Sequence, residues 1–168
     1  KKIAYLGNSK SCRTTQDRLS GFRKEMDKSN LEIPEDYIFE VPGSDPELGE
    51  LGFDHFARLP NPPTAIMCFN DMLAIGLLKA LREKGICVPE DMSVTGFDNI
   101  TFSAYTTPTL TTLDQPKYSI GNEAAQLLLE LLENKIENSK NTHKEKRLKG
   151  KLLVRESTCP PKKDYLRK

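Results

Sequence analysis

Polar side chains with complementary hydrogen-bonding roles recur in this sequence wherever a short aliphatic run gives out. Ile3-Ala4-Tyr5-Leu6 is followed by Asn8 to Thr15, and the run ending at Val41 by Pro42 to Pro46. Thr64 to Phe69 gives way to Asn70-Asp71, and Ser93 to Gly96 to Phe97-Asp98-Asn99. In an open α/β sheet, ligands sit outside the carboxyl ends of the strands, so these groups share one rim. A carboxylate only accepts hydrogen bonds, a guanidinium only donates, and an amide does both. Such a set suits a polyhydroxylated or heteroaromatic small molecule. Arg18 stands apart, because it lies near the start of a helix, where a cation opposes the dipole by about 0.3–1 kcal/mol. Either it is solvated, or paired with Asp17 or another acid, or it is kept there for a ligand.

No catalytic constellation accompanies this rim. The sequence has no GxGxxG turn, no P-loop and no GxSxG elbow. Its two histidines, His55 and His143, have no recognisable nucleophile partner. Asp71 and Asp98 could pair as acid and base, but Asp71 reads better as a helix cap. Cys12, Cys68, Cys87 and Cys159 form no CxxC pair, and neither histidine stands at metal-ligand spacing from them, so no zinc and no other cofactor is expected. Cys68, inside the apolar run 65–69, reads as a buried reduced thiol. The residues point to binding rather than catalysis.

Composition narrows the class of partner. A chain of 168 residues is one domain, or one domain with a fragment of another. Lys and Arg number 25 against 24 Asp and Glu, a net charge of +1 that lacks the basic excess of a phosphate-gripping surface. The basic run Lys140, Lys144, Lys146, Arg147, Lys149 and Lys151 has no aromatic residue to stack a base and reads as a solvated loop. No apolar run approaches the ~18 residues of a membrane span, so no membrane partner is expected and the cytoplasm is the expected compartment. The first residues already read as a strand, and a preceding segment is expected to be missing.

Aliphatic runs alternating with helical patterns predict stacked βα units around a mainly parallel, doubly wound sheet. Strands are expected at Ile3–Leu6, Tyr37–Val41, Thr64–Phe69, Ser93–Gly96, Leu110–Leu113 and Leu152–Val154. The first helix carries Leu19, Phe22 and Met26 on one face, with Thr14 and Asp17 at capping-box spacing. A weaker helix holds Leu48, Phe56 and Leu59, diluted by Gly49 and Gly52. A strong helix, capped by Asn70 or Asp71, stops at Gly85. Ser119 to about Ile136 reads as a long helix, 137–151 as a mobile loop and the tail from Pro160 as unstructured.

Two helices carry more apolar surface than a sheet can cover. In the helix Asp71 to Lys84, Leu73, Leu77, Ala80 and Leu81 suffice for docking, while Met72, Ile75 and Leu78 face another side. Either a neighbouring helix covers that second stripe or, as is expected, it meets a second copy in a two-fold dimer. In the long helix Ile120, Ala124, Leu127, Leu128, Leu131 and Leu132 form one face, yet Leu129 and Ile136 point away. Either Leu129 is a single exposed leucine, or a partner segment covers it.

Several segments are similar to one family. Arg18-Leu19-Ser20-Gly21-Phe22, Pro63 to Ile66 and Asn70 to Gly76 resemble motifs of bacterial transcription regulators of the LacI/GalR type. So do Val88 to Asn99, Pro108 to Leu113, Gln115-Pro116, Gly121, Ala124-Ala125 and Leu153 to Thr158, all in family order. The resemblance, which covers Ile3 to Thr158, implies a periplasmic-binding-protein-like α/β fold with two subdomains around a cleft. It implies that 1–115 are the C-terminal effector-binding subdomain. Residues 116–150 then cross the hinge and join the partly missing N-terminal subdomain, 151–158 return as a strand, and 159–168 are a tail. It places effector contacts on Arg18, Asn70 and Asp98, with Arg13 and Thr14 in a loop lining the cleft, and adds Tyr105 to the dimer surface. The implied partners are a small polar effector, a second copy, and operator DNA through an absent N-terminal head. Many relatives stack an aromatic ring on the effector from the loop after the second strand, but Gly43-Ser44-Asp45-Pro46 has none. The choice between a sugar and a purine stays open. The nearest rival is an exported sugar-binding protein of a transporter or chemoreceptor.

Overall fold

The computed structural model describes residues 2–10, 12–134 and 145–161. Its strands are β1 (Ile3–Asn8), β2 (Ile38–Val41), β3 (Ala65–Cys68), β4 (Ser93–Phe97), β5 (Thr111–Asp114) and β6 (Lys151–Leu153). Four α-helices alternate with them: α1 (Arg13–Lys28), α2 (Pro46–Ala57), α3 (Asp71–Glu83) and α4 (Lys117–Asn134). Short 3-10 turns occupy Glu35–Tyr37 and Thr101–Ala104. All six strands form one sheet in the order β2-β1-β3-β4-β5-β6, and the pairs from β2 through β5 are parallel.

The sheet is covered on both faces, as the sequence predicts. Tyr5 stacks at 5.3 Å on Phe22 of α1, while its neighbour Leu6 lies where a Cβ on Gly52 of α2 would have to go. Successive strand residues point to opposite faces, so α1 and α2 lie on opposite sides. The core includes Tyr5, Leu6, Ile66, Leu73, Leu77, Leu81, Val94 and Leu110, all essentially out of water. Cys68 is fully buried, and desolvation holds its thiol far above the ordinary range.

Several expectations need correcting. Gly49 does not merely dilute α2: a Cβ there would come within 2.2 Å of the Leu73 carbonyl, and one on Gly76 within 1.7 Å of the Pro46 carbonyl. The two glycines let α2 and α3 pack backbone to backbone. The α1 N-terminus is capped by Cys12 and Thr15, not Thr14 and Asp17: the Cys12 N–H donates to Thr15 Oγ1 at 3.3 Å, and Thr15 alone of these threonines is buried. Tyr37 ends a 3-10 turn instead of starting β2. Leu78, expected on an exposed stripe, is buried in the core at 5% exposure; Met72 and Ile75 are half-buried. α3 stops as predicted: Gly85 takes φ +70° and Ile86 N–H bonds back to the Leu81 carbonyl at 3.0 Å.

The chain divides into two compact units, Lys1–Leu113 with Leu152–Lys168, and Asp114–Lys151. In the second, none of the described side chains of α4 is buried. Ile120, Leu128, Leu129, Leu131 and Leu132 are 43–58% exposed, so Leu129 is not a single exposed leucine. Ile136, Lys140, His143 and Lys144, with most of the expected loop and tail, lie outside the described residues. Lys146 pairs with Glu123, and residues 145–150 carry no regular structure.

The glycine contacts lead to opposite expectations at two sites. Gly76→Ala should destabilise the protein by about 3 kcal/mol or more, because a backbone carbonyl occupies the methyl's place. Gly21→Ala, in α1 with nothing within 4 Å of its added carbon, should stabilise by about 0.5–1 kcal/mol. Urea denaturation checks both, and equal effects would refute the packing described.

Candidate functional site

The carboxyl ends of β3 and β4 meet through one side chain. Arg18, on the second turn of α1, donates from Nη1 to the Phe69 carbonyl at 2.7 Å and from Nη2 to Asp98 Oδ1 at 2.9 Å. Its guanidinium also lies over the Phe69 ring at 4.5 Å and the Phe97 ring at 3.8 Å. Only 12% of the Arg18 side chain and 25% of Asp98 meet water. A pair this secluded is screened far less than a surface ion pair. Of the alternatives open from sequence, Arg18 takes the acid 80 residues away, while Asp17 pairs with Arg13 at 3.5 Å in solvent.

Asp98 and Asn99 sit at φ +111° and +47°, backbone conformations that cost a non-glycine residue about 1–3 kcal/mol. Neighbours hold them there. Asp98 N–H donates to the Leu113 carbonyl at 3.0 Å, and Asn99 N–H to Thr112 Oγ1 at 3.3 Å. Arg155 donates to Asn99 Oδ1 at 2.9 Å and to the Leu110 carbonyl at 2.8 Å, so the segment after β6 braces the turn. Ser157 adds a second staple: its hydroxyl donates to the Val94 carbonyl at 2.7 Å and accepts from Thr111 N–H at 2.8 Å.

Asn70 and Asp71 have different roles. Asn70 Oδ1 accepts from Leu73 N–H at 3.0 Å and caps α3, which leaves its NH2 group to donate. Asp71 is not the cap. It is 1% exposed, and its carboxylate accepts from Thr112 Oγ1 at 2.5 Å, Ser103 Oγ at 2.5 Å and Ile100 N–H at 2.9 Å. Its carboxylate is spent on the loop that follows Asp98, which removes the acid–base pairing with that residue. Gly96 makes room, since a Cβ there would lie 2.1 Å from Asp71 Oδ1. A glycine inside a strand marks such close approaches, and that was the readable signal for Asp71. Arg155 and Ser157 were marked only as members of the family-like segment Leu153 to Thr158, and nothing marked Ser103.

The remaining expected site residues divide. Arg13 and Thr14 are exposed on the first turn of α1, where Arg13 pairs with Asp17. Asn8, 8% exposed, ties two rim loops by donating to Ser44 Oγ at 2.9 Å and accepting from Lys10 N–H at 2.9 Å. His55 is structural: it stacks on Phe39 at 4.1 Å with Nε2 2.8 Å from the Asp36 carbonyl. Among the described residues no cluster of His, Cys, Asp and Glu could hold a metal, and no helix is long and apolar enough to cross a membrane. A cavity of about 710 Å³ lies at the opposite strand ends, against Lys2, Thr64, Ser93 and Thr158.

A mainly parallel, doubly wound sheet with a polar rim at its strand ends is the architecture of a periplasmic-binding-protein-like domain. The family described as a periplasmic binding protein-like domain matches residues 1–158. The HTH-type transcriptional repressor PurR of Vibrio cholerae serotype O1 (strain M66-2) is 42% identical over 134 residues, 80% of this chain and 40% of that protein. A putative LacI transcriptional regulator from Bacillus cereus subsp. cytotoxis has a solved structure that superposes with a TM-score of 0.85 at 34% identity, over 96% of this chain and 55% of that one. A LacI family regulator from Enterococcus faecium with bound ribose superposes at 0.78 and 31% identity, over 96% and 57%. The chain belongs to the periplasmic binding protein-like domain family, on its LacI/GalR regulator side. It spans about 40% of the length of the curated relatives it matches.

Asp71→Ala should cost about 3 kcal/mol or more, because three donors lose their acceptor in the interior. Denaturant unfolding measures this, and a change under about 0.5 kcal/mol would contradict the role assigned to the carboxylate.

Proposed function

We propose that this chain is the effector-sensing and dimerising part of a DNA-binding transcription regulator, and that it holds a small polar ligand at Arg18, Asn70 and Asp98. The carrying observation is the secluded Arg18–Asp98 pair at the ends of neighbouring strands. The regulators it resembles include a repressor by name and one solved with bound ribose, which supports a sugar or related metabolite. Arg13 and Thr14 then line the approach. DNA is read by another part of the longer protein, in keeping with this segment's near-neutral charge, and such a regulator works in the cytoplasm. Residues 1–115 form the effector-binding subdomain and 151–158 its returning strand. Residues 116–150 belong to a second subdomain, a reading supported by the open apolar face of α4.

A thermal-shift screen of small polar metabolites on the full-length protein identifies the ligand, and calorimetry measures it. Asp98→Ala and Arg18→Ala should each weaken binding roughly ten- to a hundredfold, the cost of a charged hydrogen bond lost in a secluded site. Unaltered affinity in both variants would refute the assignment.

The dimer surface is drawn from Met72 and Ile75 of α3, with Phe102 and Tyr105. The Asp71–Ser103 hydrogen bond sets the start of α3 beside the turn that bears Phe102, and Phe102 and Tyr105 are 69% and 80% exposed. Leu78, closed into the core, supports the helix from behind. A two-fold axis through this patch would bury two carboxylates in Ile75→Glu, at a cost of several kcal/mol. Sedimentation should show a dimer for the native protein and a folded monomer for the variant; a variant that still dimerises sinks the interface.

A further inference from the structure

Tyr5 carries a polar group that the fold leaves unused. Its side chain is 1% exposed, yet its hydroxyl has no hydrogen-bond partner among the described residues. Buried tyrosine hydroxyls normally find one, and an orphan is a net cost that phenylalanine would avoid in the same space. The ring itself is well placed on Phe22. Its tip has a direction: a carbon built on Gly7 would lie 2.8 Å from Tyr5 Cε1 but 3.3 Å from Cδ1. The hydroxyl therefore points along β1 towards its carboxyl end, the rim where Arg18 and Asp98 meet. Burial pushes its pKa up to about 12, and the charges that act on it most are Arg18 and Glu40.

The groups around that rim are otherwise engaged. Arg18 is committed to Phe69 and Asp98, the Asn70 oxygen to its helix, and Asn8 to Ser44 and Lys10. Glu40, an exposed side chain, folds over Gly7 with its Cγ 2.9 Å from the same built position, so it is what lies between the ring's edge and solvent there. Gly7, lacking a Cβ, leaves the room that the Tyr5 ring and Glu40 fill at this edge of the rim. We infer that Tyr5 is a further ligand-contacting residue of this site, donating its hydroxyl to a neutral acceptor oxygen at the buried end of the ligand or to an ordered water that bridges to it. A phenol beside Glu40 favours a neutral acceptor over an anion. A sugar hydroxyl and an oxo-purine carbonyl share that chemistry.

The inference rests on the proposed effector site. Its test uses the full-length protein, wild type and Tyr5→Phe, with D-ribose and hypoxanthine as separate probes, and a high-resolution crystal structure of each form. The expected result is a non-protein polar atom within hydrogen-bonding distance of Tyr5 Oη. With it, Tyr5→Phe should bind the recognised probe about five- to tenfold more weakly while its melting temperature stays level or rises. A purely structural tyrosine would move only the melting temperature. Equal affinity in Tyr5→Phe, or a hydroxyl bonded only to Glu40 or Arg18, overturns the inference. Should the wild type bind neither probe, a water at Tyr5 Oη still supports the inference and its absence overturns it. Failure of the effector reading is recognised separately, by a ligand that binds away from Arg18 and Asp98.

Discussion

A guanidinium with little of its surface in water must find acceptors inside the protein, and Arg18 finds them on two neighbouring strands. That requirement fixes more than one side chain. It holds the Phe69 carbonyl at the end of β3 and the Asp98 carboxylate after β4 in one plane of contact, and it draws α1 over both. The Phe69 and Phe97 rings then flank the cation instead of standing free. An aromatic ring already in contact with a guanidinium has one face fewer to offer a ligand, so the proposed recognition would lean on hydrogen bonds.

Asp71 is the counterpart on the inner side of the same loop. The turn at Asp98 and Asn99 is unfavourable for residues with a Cβ, and it persists because hydrogen bonds fix it on every side. Asp71 gathers the hydroxyls of Ser103 and Thr112 and the Ile100 amide, while Arg155 reaches Asn99 from the far end of the chain. One buried carboxylate thus positions both the acid of the rim and the exposed aromatics of the next turn. The route from the proposed ligand contact to the proposed dimer surface is short and passes through packed, hydrogen-bonded groups.

Much of this was legible in the sequence, for physical reasons. Strands covered on both faces must be continuously apolar, and Thr64 to Phe69 stood out on that account. Carboxyl ends of parallel strands share one edge, so Asp98 and Asn70 could be placed on the rim before any contact was known. What stayed hidden was pairing over distance. Arg18 and Asp98 are 80 positions apart, and nothing in either neighbourhood names the other. Asn70 and Asp71 were interchangeable as caps on paper, and only the hydroxyls supplied from positions 103 and 112 separate them. Gly49 read as a weak point in its helix, because helix propensity does not register the backbone contact that Gly49 and Gly76 allow. Leu78 was misplaced because a helix packed on both a sheet and a neighbouring helix buries more than one stripe.

The central claim is that Arg18 and Asp98 act on a ligand as one unit. A double-mutant cycle on effector affinity tests it most directly, using the full-length protein with Arg18→Ala, Asp98→Ala and the double variant. If the pair is the recognition unit, the double variant should bind no more weakly than the weaker single variant, a coupling of about 1 kcal/mol or more. Strictly additive losses, or no loss in any of the three, would contradict the account.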